Sequence, residues 1–491
     1  MDISSLLGSQ NSIEYLVEQY MRYESRPKND LLDRQSELNS RKTVLSDLDS
    51  KLSALQSKAE RLSDPITDYF ATRSSSESDS DILTSTAGAT ASLGNHAITI
   101  DRLAISDTRV SQQYTDTDTS FSGFTVDQTF EIEVGSPTDL DANNRTSISI
   151  TVTAADLALD NDEALIEIAD AINSAMYTAV TNETIGSEEQ IRASVVTEET
   201  GKSRIVLRSE SSGYTYRMDF TDSADSLLST LGVSDAVAST GTAGGYITEV
   251  GTSATTSMLN SKFNIDGLDF YRDSNNVTDA LTGVTLKLLD TAASTQTVTV
   301  VADTEGVKGE VNAFLDSYNE AMTYLRENTQ IDPSTYKRGA LADDITYRGI
   351  VYDLRNYTLN EVTGVANSDY SRLFNIGIEA DSDGMLSIAD SDKFVEAIET
   401  NSNYVAELFN ASDGLATQLD SYLENYVKTG GSIDSSKNNI DDQLTTLVDR
   451  ISLMDDILYR REDQLRQEFT SLQEMMYKLQ NQQSFLGSFL Q

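Results

Sequence analysis

Leucines seven residues apart at both ends of the chain restrict its fold more than any other feature. Near the start, Leu31, Leu38, Leu45, Leu52 and Ala59 hold that spacing, and Leu48, Leu55 and Leu62 add a second row from Leu45 onward. Alternating steps of three and four place both rows on one helix stripe, the pattern of a coiled-coil seam. Arg34 and Arg41 occupy the second row earlier, so the seam is weaker there. Pro27 suits a helix start and Pro65 a stop; across residues 28–64 such a helix runs about 55 Å at 1.5 Å per residue. Near the other end, Leu444, Ile451, Leu458, Leu465, Leu472, Leu479 and Leu486 keep strict heptad spacing. Their companion row, Ile440, Leu447 and Met454, turns polar at Arg461 and Glu468, and Phe469 and Met476 take over one position later. That shift implies a seam that moves around the helix, or a change of partner. The same spacing also fits an amphipathic helix within a bundle. Gly430-Gly431 separates this helix from what precedes it.

Residues 74–304 have a different texture, dense in Ser, Thr, Asp and Gly. Period-two runs such as Phe130-Glu131-Ile132-Glu133-Val134, residues 147–152 and residues 297–300 predict half-exposed strands. One helix interrupts them at residues 165–176, with Leu165, Ile168, Ala169, Ile172 and Met176 on one face, and residues 311–325 return to helix. The expected fold class is therefore α+β and multidomain: a coiled-coil or helical-bundle stalk built from both termini, with β-rich head domains inserted between them.

Composition narrows the function. Against 36 Lys and Arg stand 79 Asp and Glu, a formal net charge of −43. Phosphate recognition needs clustered bases, so nucleic acid is excluded as a partner, and an anionic membrane surface with it. No apolar run is long enough to span a membrane, and the first residues lack the basic and apolar regions of a cleaved secretory signal. The acid excess is concentrated: residues 110–191 hold sixteen acids and one base, Arg145. This reads as a solvated surface; Arg204, Arg208 and Arg217 are the bases that could meet it across an interface.

Residues able to do chemistry are scarce. Without Cys, and with His96 the only histidine, thiol catalysis and multi-His metal sites are excluded. His96 reads as a turn residue ahead of a strand at residues 98–100. Asp381-Ser382-Asp383-Gly384 has the look of a calcium loop but lacks the further ligands, and reads as a tight turn. Gly241-Thr242-Ala243-Gly244-Gly245 reads as a flexible linker. No catalytic residue, cofactor or metal site is expected, and the chain is not expected to be an enzyme.

Four separated stretches resemble the bacterial flagellar filament cap family, also called hook-associated protein 2. The first is residues 12–27 with the Leu heptads and Phe70-Ala71-Thr72. The second is residues 162–173, then 191–196 and 204–209, similar to a repeat of flagellin and hook proteins. The third joins Phe263-Asn264-Ile265-Asp266-Gly267-Leu268 to Gly283-Val284-Thr285-Leu286 and Phe314-Leu315-Asp316-Ser317-Tyr318-Asn319. The fourth runs from Leu373-Phe374-Asn375-Ile376-Gly377-Ile378 through Leu408-Phe409 to residues 467–476 and Gln483-Ser484-Phe485-Leu486. In place of the family's Gly-rich opening stands Leu6-Leu7-Gly8-Ser9-Gln10.

The resemblance implies an exported protein of the distal flagellar tip, which leaves the cell by type III export without a cleaved signal. It implies a homo-oligomeric ring, flagellin and hook–filament junction proteins as partners, and an export chaperone on the C-terminal helix. Four parts are expected: terminal helices at 1–30 and 455–491, a helical leg at 31–72 and 305–454, a β-rich head at 73–115 and 240–304, and a second head at 116–239. The partner-helix seam is assigned to Leu45, Leu48, Leu52, Leu55, Leu62, Leu444, Leu447, Ile451, Leu458, Leu465, Leu472, Leu479 and Leu486. A hook–filament junction protein, or an adhesin carried at the tip, are the alternative readings.

Overall fold

The computed structural model describes residues 10–64, 66–135, 145–332 and 334–489. Pro65, Leu6 to Ser9, and Asp139 and Asp141 of the acidic stretch lie outside the described residues. The chain is α+β and divides into two compact units, one of residues 1–70 with 304–491 and one of residues 71–303.

The first unit is helical. Its helices are Gln10–Glu24, Arg26–Ser63, Thr304–Thr329, Ile345–Leu359, Ser391–Asn410, Leu415–Val427 and Ser432–Phe489. Arg26–Ser63 buries Leu38, Leu45, Leu48, Leu52, Leu55, Ala59 and Leu62, and Leu45, Leu48, Leu52 and Leu55 are wholly inaccessible. Burying a leucine fully gains about 1.5–3 kcal/mol, so this row contributes strongly to holding the unit together. Thr304–Thr329 answers it with buried Val311, Phe314, Leu315, Tyr318 and Met322. Phe409 closes one end of this core, stacked on Phe70 with ring centroids 5.1 Å apart and edge-on to Phe314 at 6.2 Å. Gly430 adopts φ +76°, a backbone state that favours glycine, and the final helix starts two residues later. Residues 381–384 form the turn of a hairpin between Ile378–Ala380 and Leu386–Ile388. The Asp381 carboxylate accepts from the Asp383 and Met385 amides, and Arg326 holds Asp383 at 2.6 Å.

The second unit carries two separate β cores. In one, a sheet ordered Arg73–Glu77, Ala292–Ala302, Gly94–Arg102, Ser261–Ile265, Leu268–Arg272 and a three-stranded sheet of Asn276–Leu281, Val284–Leu288 and Leu83–Ala87 enclose Leu83, Ile98, Ile100, Phe263, Leu286 and Val298. In the other, Gln128–Val134 pairs antiparallel with Thr146–Val152, placing Phe130 opposite Ile150 and Ile132 opposite Ile148. Helix Asn161–Thr181 packs Leu165, Ile168, Ala169, Ile172 and Met176 into this second core, as the spacing predicts. Asn161 anchors the helix start, donating to the Thr115 carbonyl (2.7 Å) and accepting from the Ser120 amide (2.8 Å).

Two local expectations are corrected. His96 is a strand residue within Gly94–Arg102, opposite Val298. The strand starts earlier than the apolar run suggests, because its ladder bonds are backbone bonds that Asn95 and His96 make as well as any residue. The stretch at residues 241–245 is not a free linker. A side chain on Gly244 would meet the Gly232 carbonyl oxygen at 2.6 Å, and Gly245, at φ +135°, pairs with Val110. These glycines allow close backbone approach.

Candidate assembly surface

Opposite charges set how the two long helices pair. Lys28 meets Asp455 at 2.5 Å, Lys42 meets Asp441 at 2.5 Å and Asp49 meets Lys437 at 2.8 Å. Arg461 reaches Glu24 at 3.7 Å. As one partner advances from 24 to 49 the other recedes from 461 to 437, so the bridges mark a single antiparallel register. Each pair is partly exposed and worth at most about 1 kcal/mol; their joint effect is alignment.

The seam residues fall into three groups along the final helix. Ile440 and Leu447 are buried, and Leu444, Ile451 and Leu458 are half-buried. Leu465 is buried again, under Ile13 and Val17 of the Gln10–Glu24 helix, with Met21 and Phe469 packed beside them. Leu472, Leu479 and Leu486 are 43, 52 and 62% exposed. The shift in the companion row at Arg461 therefore coincides with a change of partner, from the Arg26–Ser63 helix to the Gln10–Glu24 helix. That change is built at Ser25. Its amide donates to the Met21 carbonyl at 2.8 Å, and Pro27, which has no N–H, follows. The heptad reading does not single out Ile13, Val17 and Met21, although their steps of four are the signal of a buried face.

Nothing among the described residues gathers three or more His, Asp or Glu in metal-ligating geometry, and no helix among them is long and apolar enough to cross a membrane. His96 donates through Nδ1 to the Asp266 carboxylate at 2.7 Å, whose other oxygen takes the Ala97 amide at 2.8 Å. These bonds hold the Asp266 carboxyl below its usual range, the His96 bond contributing most. Because Asp266-Gly267 is the turn between two strands, the pair clamps a hairpin to its neighbouring strand. We expect His96→Ala to cost at most about 1 kcal/mol in thermal unfolding of the full chain, because the pair is partly exposed; a larger loss would give His96 a role beyond the clamp.

Of the three bases set against the acidic stretch, two are already engaged. Arg204 is buried and bonded to Glu198 at 2.7 Å, and Arg217 contacts Asp219 at 3.2 Å. Arg208 is exposed, directly across the ladder from Arg192. Burial holds two tyrosines of the helical unit, Tyr324 and Tyr422, in their protonated form. Burial, helped by a hydrogen bond to Asp47, pushes Tyr324 up to about 12. Tyr422 is raised by burial first and then by Tyr426 and Asp353, to which it donates at 2.7 Å. The arrangement thus offers helix faces and hydrogen-bond donors.

Comparison with known proteins points the same way. Residues 9–107 match the family model described as flagellar hook-associated protein 2 N-terminus, and residues 259–481 match that of its C-terminus. Flagellar hook-associated protein 2 of Salmonella typhimurium is 28% identical over 342 residues, covering 67% of this chain and 68% of that one. Its Escherichia coli K12 counterpart is 26% identical over 496 residues, covering 99 and 97%. The crystal structure of the D1-D2-D3 domains of the E. coli flagellar cap protein FliD superposes with a TM-score of 0.60 at 25% identity, over 81% of this chain and 99% of that one.

Proposed function

Because the chain belongs to the flagellar hook-associated protein 2 family, we propose that it caps the distal end of a bacterial flagellar filament, outside the cell, and promotes insertion of exported flagellin. The match of both family models in order, with the fold shared over four fifths of the chain, carries this reading. Its role is structural, and we assign it no catalysis. Flagellin is the partner the family position demands. A homo-oligomeric ring, contact with hook–filament junction proteins and an export chaperone on the C-terminal helix extend the same reading. The exposed Leu472, Leu479 and Leu486 support that last partner, since an apolar heptad row left open has a helix-binding face to offer. Two distinct β cores support two heads in the inserted part, but not the bounds 115 and 240. Ser106–Val110 pairs with Lys202–Ser212, Gly245–Tyr246 pairs with Ser106–Val110, and Tyr114 packs in the second core, so these strands go with residues 116–239.

Antibody raised against the 71–303 unit tests the assignment. Electron microscopy of labelled filaments is expected to show label at the distal tip. Label beside the hook would transfer the chain to the junction proteins. Deletion of the gene is expected to send flagellin monomer into the medium.

A further inference from the structure

The helical unit presents a basic ridge on one side and an acidic groove on the other. On helix Ile345–Leu359, Tyr347, Ile350 and Leu354 face inward. The opposite stripe holds Ile345, Tyr352 and Leu359, which are 83, 67 and 49% exposed at seven-residue spacing. Arg348 and Arg355, also exposed, fall between them at the heptad's second position. Neither arginine makes an ion pair among the described residues, in a chain whose acids outnumber its bases 79 to 36. An apolar stripe carrying two unpaired arginines is shaped for an acidic partner.

Such a surface exists on the same unit. Helices Arg26–Ser63 and Thr304–Thr329 flank an open groove of about 490 Å³, lined by Lys51, Asp316, Asn319, Glu320, Thr323, Tyr324 and Glu327. Three acids face one base there, and among the described residues only Glu320 of the three is in an ion pair, with Lys51 at 2.7 Å. The groove looks away from the ridge. Tyr318 lies by Thr358 and Arg355 of the Ile345–Leu359 helix, and Asp316, Glu320 and Glu327 stand about 160–200° around their own helix from Tyr318.

The two surfaces also share a level along the bundle. The Ile345–Leu359 helix begins beside Arg41, through the Arg41–Asp344 bridge at 2.9 Å. It ends near Tyr422, two residues from Asp420, which Gln56 holds at 2.9 Å. Thr304–Thr329 runs the other way, with Glu310 at Arg61, Glu320 at Lys51 and Tyr324 at Asp47. Arg348 therefore stands level with Glu327 and Tyr324, and Arg355 level with Glu320. Seven residues separate each pair, about 10.5 Å of helix.

We propose that the Ile345–Leu359 ridge of one copy seats in the groove between Arg26–Ser63 and Thr304–Thr329 of the next. The contact is heterologous, since ridge and groove differ and lie on opposite sides; repeated by a rotation about the bundle direction, it closes a ring. Equal levels are what such a rotation requires. The assignment rests on the self-assembly proposed above and names the surfaces that make it.

Charge exchange on the full chain tests it. Arg348→Glu and Glu327→Arg alter exposed side chains, and circular dichroism is expected to show both variants folded. Each alone is expected to weaken self-association about tenfold or more in sedimentation velocity. Both together in one chain swap the signs on the two sides of every contact, so opposite charges meet again and association is expected to recover. Recovery by the pair is a result that simple damage to the fold does not give. Wild-type rings that persist unchanged in both single variants would overturn this interface while leaving self-assembly intact. A wild-type chain monomeric at every concentration would overturn both. A monomer whose Arg348→Glu variant loses binding to purified flagellin would hand the ridge to flagellin instead.

Discussion

In cells carrying Leu465→Asp, flagellin is expected to be exported but to collect in the medium as monomer, and filaments fail to form. Leu465 is 4% exposed and meets Ile13 and Val17, at 7 and 2%. These three buried residues, with Met21 and Phe469 beside them, form the apolar cluster that joins the first and last helices among the described residues. An ionised carboxylate buried there costs several kcal/mol, or forces the group to take up a proton. A cluster that small has little to set against such a cost, so the Gln10–Glu24 helix comes away. The rest of the helical unit survives, because Leu45, Leu48, Leu52 and Leu55 lie in a different core. Limited proteolysis is expected to cut the variant within residues 10–24 while thermal unfolding of the remainder stays near wild type. Leu472→Asp supplies the contrast. Its side chain is 43% exposed, so the free protein is expected to keep its protease resistance, and any filament defect then reports a lost partner. Normal filaments from Leu465→Asp would show that docking of the first helix does not matter to capping.

The difference between those two leucines marks where sequence stops being informative. Heptad spacing announces both equally, since it encodes only that a face is apolar. Which face finds a partner depends on an element more than four hundred residues away in the chain. The shift at Arg461 is visible as a broken row, and the alternatives it leaves, a drifting seam or a new partner, are separated only by the position of Ile13 and Val17. Strand and helix patterns in residues 128–181 are legible because each strand has one dry face and the helix one buried stripe. His96 is misread for the converse reason: an exposed strand end has no burial pattern to betray it. Gly244 and Gly245 look flexible in sequence, yet they are tightly packed, because missing side chains serve close approach as well as freedom. The ridge on Ile345–Leu359 does not stand out in the sequence at all. Its inner face and outer stripe are both periodic, and periodicity alone does not say which is buried.

Asp107→Ala is expected to destabilise the β-rich unit by about 3–5 kcal/mol, the cost of leaving one half of a buried ion pair behind. Asp107 is wholly buried and Arg109 is 7% exposed. Its carboxylate accepts from Arg109 Nε at 3.0 Å and from the Met218 amide at 2.8 Å. Asp107→Asn loses the acceptor for Arg109 Nε, since its N–H groups take that side, but keeps the shape and an oxygen for the Met218 amide. Arg109 retains the rings of Phe220 and Tyr246 at 5.7 and 5.9 Å, so the loss for Asn is expected to be smaller than that for Ala. Arg109→Met gives the opposite defect and a pH signature. Burial already pushes the Asp107 carboxyl up, with Arg109 the main force opposing it. Without Arg109 the folded state holds the proton more tightly than the unfolded chain, whose Asp titrates near ~3.9. The variant is therefore most stable relative to wild type below that value, and loses ground as pH rises toward the raised folded value. Differential scanning calorimetry of the full chain, with the transition of the 71–303 unit followed from about pH 4 to 7, separates the cases. Equal losses for Ala and Asn, together with an Arg109→Met variant indifferent to pH, would remove the pair from any part in holding this sheet.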